Sequence, residues 1–467
     1  MLYFSRHSCA LLILGAAAIK ATAASYSFVN IADTRGPFED FDFLTQAVSD
    51  TGQVAFIGTQ GGVTGTYVGD GASTMSVVPD LSPPAGFNRN GDFALNESGV
   101  AAALVARCCT PPESKIQLYE ASGTRNLIEV ASSGTIARAL TVPAINDTEA
   151  VAFGIRTDDS ATGIKQTSIT RWSNGVSETV LDTSAGFTIL GATGLNELGE
   201  VAFQGFKDGE GWSYHRTDGA MITRIADSAG PLNISGSPRA AINDSGSVAF
   251  VASLDAGGEG IFVGNGGPLT TVAIADPTTP FYFIENDIDM NNQGTIAFFA
   301  GLWDGRNGIF TGTDPISDKV VAHGDILFGQ FVTGLGRPHL NERGDIAFWF
   351  EVRDPREPDG YSYGIALAMK ESPLQGDYNN DGAVDAADYV VWRKSVGAAT
   401  LNNRDPNGIG PVGEADYNFW RAHFGDTIGT GAGAASSANA AVPEPASWLM
   451  LILGILAIFF RRRAVVP

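Results

Sequence analysis

The sequence predicts an all-β protein, a seven-bladed β-propeller closed by its N-terminal strand, with a small loop-helix module and a hydrophobic C-terminal helix behind it. The first observation is a ten-residue phrase, Ala241 to Phe250, that occurs seven times at intervals of 47, 50, 50, 47, 48 and 50 residues. The second is a set of strand-like segments that recur between the copies, and the third is a duplicated acidic loop near the C-terminus. The copies of the phrase centre on Ser49, Asn96, Asn146, Asn196, Asn243, Asn291 and Asn341.

The repeated phrase predicts a β-hairpin. It reads apolar-Asn-x-x-Gly-x-apolar-Ala-Phe, in which the Asx residue opens a turn and glycine takes the left-handed position before a β-type run. Glu149 replaces the glycine in the third copy. The last position is held by Phe56, Ala103, Phe153, Phe203, Phe250, Phe298 and Phe348.

The rest of each unit predicts two further strands. A glycine-led strand such as Gly260-Ile-Phe-Val follows the phrase, and then a strand that ends in a polar residue, such as Ile274-Ala-Asp276. Four short strands in a unit of about fifty residues are typical of a propeller blade. A β-solenoid and a pair of β-sandwiches are the alternative architectures.

The two ends of the repeat region predict how it closes. The seventh unit stops after its third strand, near Ala366 to Met369, while Phe28 to Asp33 matches the fourth strands of other units. An N-terminal strand that completes the last blade would remove two exposed sheet edges. We therefore expect residues 25–371 to form one closed domain.

Composition and the N-terminus indicate an exported protein. The chain of 467 residues has a formal net charge of -22 and a pI near 4.5, which argues against nucleic-acid binding. Residues 1–24 carry an apolar run and the Ala21-Thr22-Ala23 site of a secretory signal peptide, with a retained anchor as the alternative. Cleavage would leave Cys108 and Cys109, adjacent cysteines that can form a strained vicinal disulfide or pair elsewhere.

The segment 372–427 contains a duplication with a period of 28 residues, in which Ala-Asp-Tyr-x-x-Trp-Arg occurs at 387 and 415. The loop before the first helix has oxygen ligands and a glycine at the spacing that a hard Ca²⁺ ion requires. Its predicted ligands are Asp377, Asn379, Asp381, the carbonyl of Ala383, Asp385 and Asp388. An acidic turn that binds nothing is the alternative.

The second loop is a degraded copy of the first. Asp405, Asn407 and Asp416 keep three ligand positions, but Ile409 and Gly413 remove two side-chain oxygens. We therefore expect one Ca²⁺ site, with weak or no binding in the second loop. The aspartate at position twelve and Val384 at position eight resemble type I dockerin modules, a resemblance that implies a cohesin-like partner in polysaccharide-degrading complexes.

The C-terminal segment has the parts of a sorting signal. After a Gly/Ala/Ser-rich linker at 428–441, residues 442–467 hold Pro443, Glu444 and Pro445, an apolar run and three arginines. This order resembles a PEP-CTERM signal, which implies processing by an exosortase-type enzyme, membrane contact before processing and a final location in the cell envelope or extracellular matrix. A permanent single-pass anchor is the alternative. The repeated phrase is similar to a tandem-repeat family of bacterial surface proteins, a resemblance that implies placement and no activity.

Polar residues that end the fourth strands are candidates for one rim of the propeller. They are Asp33, Asp80, Asp182, Asp227, Asp276 and His323. A ring of carboxylates there could hold a cation or sugar hydroxyls, although an aspartate that caps a turn in its own blade is the simpler interpretation.

The sequence favours a non-enzymatic binding or structural module. No nucleophile elbow, zinc-binding helix motif or phosphate loop occurs in the chain. A carbohydrate-active enzyme and a purely architectural envelope protein are the alternatives. A catalytic pair would appear as neighbouring carboxylates in a deep channel mouth, and a binding module as exposed aromatic rings there.

Overall fold

The computed structural model describes residues 26–83, 88–89, 93–107, 113–130, 135–139, 143–159, 165–235, 239–371, 374–379, 382–405, 408 and 410–427. In the described residues the protein is mostly β, with only a small helical part. The chain divides into two compact units, residues 1–370 and 371–467. Each unit is described by itself.

The first unit is built from short strands. In its N-terminal half these are β1 (Tyr26–Asp33), β2 (Asp40–Val48), β3 (Val54–Gln60), β4 (Val63–Gly69), β5 (Thr74–Val78), β6 (Asn88–Arg89), β7 (Ala94–Leu95), β8 (Ala101–Arg107), β9 (Glu113–Glu120), β10 (Gly123–Val130), β11 (Thr135–Ala139), β12 (Ala144–Ile145), β13 (Val151–Asp159), β14 (Lys165–Ser173) and β15 (Val176–Asp182), before a short 3₁₀ helix (Thr183–Ala185). In its C-terminal half they are β16 (Ile189–Leu195), β17 (Val201–Lys207), β18 (Gly211–Thr217), β19 (Ile222–Asp227), β20 (Leu232–Asn233), β21 (Ala240–Ile242), β22 (Val248–Leu254), β23 (Glu259–Gly264), β24 (Thr270–Ala275), β25 (Phe281–Met290), β26 (Ile296–Leu302), β27 (Asn307–Phe310), β28 (Lys319–Ala322), β29 (Ile326–Leu327), β30 (Gln330–Leu335), β31 (His339–Leu340), β32 (Ile346–Arg353) and β33 (Tyr361–Lys370).

These strands form antiparallel sheets whose order follows the chain. Two of them run β2-β3-β4-β5 and β16-β17-β18-β19, and the other repeats follow the same plan. A single parallel pair, Ala275 with Phe281, joins two such arrays into one larger sheet. The repeated phrase forms the turn between the first two strands of each array, as in β16 and β17 or β25 and β26, so the predicted hairpin is confirmed.

The first strand of the chain pairs with the last strand of this unit. β1 lies antiparallel to β33, with register partners from Tyr26 with Lys370 to Asp33 with Gly364. The outer edge of β33 is therefore covered by the N-terminal strand, which is the pairing that the sequence predicts.

The strand that follows each turn is buried on both faces. Val248, Ala249 and Phe250 each have 0% of their surface exposed, although neighbouring strand residues point to opposite faces of a sheet. The same is true of Val201, Ala202 and Phe203. Each of these strands is therefore covered by packing on both sides, as expected where sheets stand side by side around a ring.

The second unit pairs two helices, α1 (Ala386–Ser395) and α2 (Glu414–His423). Each helix carries a tryptophan whose indole Nε1 donates to the residue just before the other helix: Trp392 to the carbonyl of Gly413 (2.8 Å) and Trp420 to that of Asp385 (2.9 Å). These positions are 28 residues apart in each case. The duplication therefore folds as a pseudo-symmetric pair around a small core of aromatic rings.

Candidate functional site

The seven turns of the repeated phrase are joined through their asparagine side chains, which we call the asparagine ladder. The Oδ1 of Asn146 accepts the backbone N–H of Ala150 (2.9 Å), and its Nδ2 donates to the carbonyl of Asn196 in the next turn (3.1 Å). The last link runs from Asn341 Nδ2 to the carbonyl of Ser49 (2.8 Å). The other links run from Asn96 to Asn146, Asn196 to Asn243, Asn243 to Asn291 and Asn291 to Asn341.

The residues that follow the asparagines form a second chain of hydrogen bonds. We call Asp50, Glu97, Asp147, Glu197, Asp244, Asn292 and Glu342 the acidic ring. The backbone N–H of Glu97 donates to Asp147 Oδ1 (3.0 Å), that of Asp147 to Glu197 Oε1 (2.9 Å), and so on around to Glu342, whose N–H donates to Asp50 Oδ1 (2.9 Å). The acidic side chains therefore tie each turn to its neighbour.

Both chains of bonds are interrupted at one seam, between Ser49 and Glu97. Ser49 has no side-chain amide to donate to Asn96. Among the described residues, the Glu97 carboxylate accepts no hydrogen bond. The other side chains of the ring each accept a backbone N–H from the preceding turn, but the N–H of Asp50 does not donate to Glu97. The seam is where the repeat symmetry breaks.

The acidic ring lines a cavity of about 460 Å³. Asp289 and His339 also line it, and no lysine, arginine, tryptophan, tyrosine or phenylalanine does so among the described residues. The described lining therefore lacks the aromatic rings expected of a binding module and instead contains neighbouring carboxylates. Clefts lined by one sign of charge attract ligands of the other sign and repel those of the same sign. The cavity therefore favours cationic or hydroxyl-rich ligands over polyanions.

Burial, and after it the neighbouring carboxylates, raises the pKa values of acidic-ring side chains. Burial, followed by the charges of Asp147 and Asp50, raises the pKa of Glu97 to about 7. Burial also raises the pKa values of Asp147 and Glu342 above their usual range. A carboxyl group with a pKa close to 7 can donate a proton at neutral pH.

The predicted rim aspartates engage backbone groups of their own turns. In each, Oδ1 accepts the N–H of the residue two positions on: Arg35 for Asp33 (3.0 Å), Ser82 for Asp80 (2.7 Å), Ser184 for Asp182 (2.8 Å), Ala229 for Asp227 (3.1 Å) and Thr278 for Asp276 (2.6 Å). His323 is half-buried, and this burial lowers its pKa. None of these six residues lines the 460 Å³ cavity.

Two further polar spots, Asp325 near His323 and the insertion at residues 354–359, depart from the repeat, and each holds a carboxylate paired with a neighbouring cation. Asp325 forms an ion pair with Lys319 (2.8 Å) near His323. In the insertion after β32, Arg356 donates to Asp354 and lowers the pKa of that carboxyl to about 2. Asp325 and Asp354 are therefore each neutralised by a neighbouring cation.

In the second unit, the first acidic loop places two buried carboxylates together. Asp377 and Asp388 have 1% and 0% of their surface exposed. Asp388 accepts the N–H groups of Asn379 (3.0 Å) and Asp385 (2.8 Å), and no positively charged side chain pairs with it among the described residues. Gly382, at loop position six, has the left-handed φ of +88° that the sharp turn requires.

This loop fits a cation. Buried charges are normally paired or coordinate a metal, and Asp388 is buried beside the acidic Asp377. The third predicted side-chain ligand, Asp381, lies outside the described residues. Within the part of the chain that is described, no three His, Cys, Asp or Glu side chains stand close enough to hold a metal.

The second acidic loop is neutralised by the protein itself. Asp416, at position twelve, has 2% of its surface exposed, and Arg404 Nε lies 2.8 Å from its Oδ1. Asn407 and Ile409 lie outside the described residues.

Several predicted features fall outside the described residues: the signal peptide, Cys108 and Cys109, and the sorting motif at Pro443, Glu444 and Pro445. In the described part of the chain, no helix is long and apolar enough to cross a membrane.

The acidic ring and Arg404 were not identified as functional positions from the sequence. The sequence does contain a signal for the ring, because the residue after Ser49 or after the asparagine of the phrase is acidic in six of the seven copies. For Arg404, the signal is only its place just before the second loop.

Comparison with known protein families matches one short motif of the chain. Residues 441–463 match the PEP-CTERM protein-sorting motif, so the chain carries the signal of an exported, exosortase-sorted protein. No curated protein matched the sequence.

Solved structures show distant similarity. The β-propeller domain of the Trilobed protease from Pyrococcus furiosus is 13% identical with a TM-score of 0.40, over 60% of this chain and 82% of that one. Prolyl oligopeptidase B from Galerina marginata is 11% identical with a TM-score of 0.46, over 72% and 52%. A lectin from Aleuria aurantia is 10% identical with a TM-score of 0.30, over 58% and 93%. These similarities are too distant to assign an activity.

Proposed function

We propose that this protein is sorted to the bacterial surface by an exosortase and presents a seven-bladed propeller there as a binding or structural module. The sorting motif at residues 441–463 carries the proposal of surface display. The blade count rests on seven copies of one turn, linked from Asn96 to Asn341 and back to Ser49. The pairing of β1 with β33 supports closure by the N-terminal strand.

The acidic cavity is the ligand-binding end of the propeller in this proposal. Its lining of carboxylates and its lack of lysine and arginine among the described residues favour neutral or cationic polysaccharides over anionic ones. The test is to incubate the purified protein, with Ca²⁺, against neutral, cationic and anionic polysaccharides, recording the bound fraction and any release of reducing ends. Binding without release supports a glycan-attached surface module. The absence of both signals would favour the purely architectural alternative.

A carbohydrate-active enzyme is the second candidate, and Glu97 is the observation that favours it. This carboxyl group lies at the seam of the acidic ring, with a pKa raised to about 7, and neighbouring carboxylates surround it. A pair of carboxyl groups with separated pKa values is what glycoside hydrolysis uses. Release of reducing ends that disappears in Glu97→Gln, but persists in the rim variant Asp80→Asn, would establish this function.

We further propose that residues 372–427 form a dockerin-like module that binds one Ca²⁺ in the loop from Asp377 to Asp388. The ion would supply the positive charge that buried Asp388 lacks among the described residues. A cohesin-like receptor is the partner class to test. Added Ca²⁺ should slow hydrogen exchange in α1 of the wild type and have no effect in Asp377→Ala.

A further inference from the structure

The two acidic loops can be compared position by position, because they are 28 residues apart. Asp388 corresponds to Asp416, and Gly376, just before the first loop, corresponds to Arg404, just before the second. The first pair of positions is chemically identical and the second is not.

Arg404 holds the second loop through three contacts. Its Nε lies at the ion-pair distance of 2.8 Å from Asp416 Oδ1 without the geometry of a hydrogen bond, and Nη2 donates to Oδ2 of the same carboxylate (3.2 Å). Nη1 donates to the carbonyl of Gly410 (3.0 Å). The guanidinium therefore joins the carboxylate of position twelve to a backbone carbonyl of the loop, the two kinds of oxygen that Ca²⁺ collects in such loops.

The pair is shielded from water. Arg404 has 16% of its side chain exposed and Asp416 has 2%. Removing one partner of a buried ion pair is strongly destabilising, because the other charge stays buried without compensation. Arginine suits this place, since its planar fork pairs with a carboxylate and it does not lose its charge.

A side chain like that of Arg404 is unfavourable at the matching position before the first loop, Gly376. Gly376 has a left-handed φ of +89°, and a Cβ placed there would lie 3.1 Å from His423 Cβ and 3.3 Å from Val384 Cγ1. A side chain at this position is therefore disfavoured by both backbone conformation and space. The asymmetry between the loops is built into the position before each of them.

We propose that Arg404 is the resident cation of the second loop, where it takes the place of Ca²⁺. The second loop therefore binds no metal, and its mismatch with a calcium site is compensated by the protein's own positive charge. This inference rests on the contacts of Arg404 and does not depend on Ca²⁺ binding in the first loop.

The test uses the full-length protein, purified in detergent, in EDTA. Hydrogen exchange is followed in α2 for three variants. Arg404→Met removes the charge and keeps the aliphatic stem, Arg404→Lys keeps the charge without the fork, and Arg421→Met is a control on the exposed face of α2. We expect exchange in α2 to accelerate by at least about a hundredfold in Arg404→Met, by much less in Arg404→Lys, and to change by about twofold or less in the control.

A second arm tests for metal directly, in Asp377→Ala, where the first loop is disabled. We expect Ca²⁺ at about 1 mM to leave exchange in α2 unchanged in this variant. Slower exchange in α2 on addition of Ca²⁺ to this variant would overturn the proposal. Unchanged exchange in Arg404→Met would also overturn it, as would equal acceleration of exchange in Arg404→Met and Arg404→Lys. If the wild type shows no Ca²⁺ effect in α1, the calcium proposal for the first loop fails while the role of Arg404 stands.

Discussion

The ring of turns and the paired C-terminal loops are both made from repeated Asx-rich turns, but they accommodate negative charge differently. In the acidic ring, carboxylates such as Asp147 and Asp244 accept backbone N–H groups from neighbouring repeats. In the C-terminal unit, Asp388 and Asp416 are almost fully buried, and one of them is paired with an arginine. The ring distributes its charge over many weak contacts, whereas the loops concentrate it at two positions.

The difference explains which copies can deviate from the repeat. A single hydrogen bond contributes about 1 kcal/mol, so the asparagine ladder can contain Ser49 in place of asparagine. The third turn can contain Glu149 in place of glycine, because the N–H of Glu149 still donates to the carbonyl of Asn146. Glu149 does adopt the left-handed conformation, with a φ of +61°. A buried charge is far more costly, so the altered second loop requires Arg404.

The largest effect is expected from the same substitution in the two loops. Asp416→Asn leaves Arg404 buried without its counter-charge and should destabilise the second unit by about 3 kcal/mol or more. Asp388→Asn leaves no cation behind in the described structure and should cost about 1 kcal/mol in EDTA, because one backbone N–H loses its acceptor. Urea unfolding monitored by hydrogen exchange in α1 and α2 measures both, and equal losses would contradict the comparison.

A smaller effect is expected at the position that keeps the first loop free of a side chain. Gly376→Ala should destabilise the second unit by about 1–2 kcal/mol from backbone strain, with a further loss from the close contact with His423. Gly397→Ala is the matched control, because Gly397 has a φ of +87° and nothing lies within 4 Å of its added Cβ. A control variant as unstable as Gly376→Ala would mean that packing around Gly376 is unimportant.

In the ring, Ser49→Asn should complete the asparagine ladder. The new amide can donate to the carbonyl of Asn96, as Asn96 donates to Asn146 (3.3 Å), so we expect stabilisation by about 1 kcal/mol. Thermal unfolding of the first unit measures the gain. Ala121→Asn, at an exposed turn position between β9 and β10 and outside the ladder, should give none.

An effect no larger than this is expected in the pH dependence of the free energy of unfolding, through Glu97 at the seam. The pKa of Glu97 is raised from 4.5 to about 7 in the folded chain, so between these values the folded state holds a proton that the unfolded state releases. The resulting stability is fully present below pH 4.5 and is lost as the pH rises through about 7. After solvent screening we expect about 1 kcal/mol, and Glu97→Gln should abolish this part of the pH profile of urea unfolding. A profile identical to that of the wild type would show that Glu97 does not titrate in this range.

The sequence is sufficient to predict what depends on local turn chemistry. The hairpins follow from the Asx and glycine of the phrase, the strand pairing of Phe28 to Asp33 from its match to other units, and the left-handed Gly382 from the loop pattern. The contacts between turns join residues 47 to 50 positions apart, or 292 at the closing link, and Arg404 contacts Asp416 across a loop. Such contacts depend on how the repeats are placed in space, which local patterns do not specify.

The count of bound calcium ions tests the comparison most directly. Equilibrium dialysis of the full-length protein with Ca²⁺ should give one ion per chain, and none after Asp377 and Asp381 are both replaced by alanine. That result would place the ion in the first loop. The ring would then bind no ion and keep its hydrogen bonds from backbone N–H groups, and Asp416 of the second loop would keep its contacts with Arg404 and backbone groups. Two or more ions in the wild type, or an ion retained by the double variant, would contradict the account.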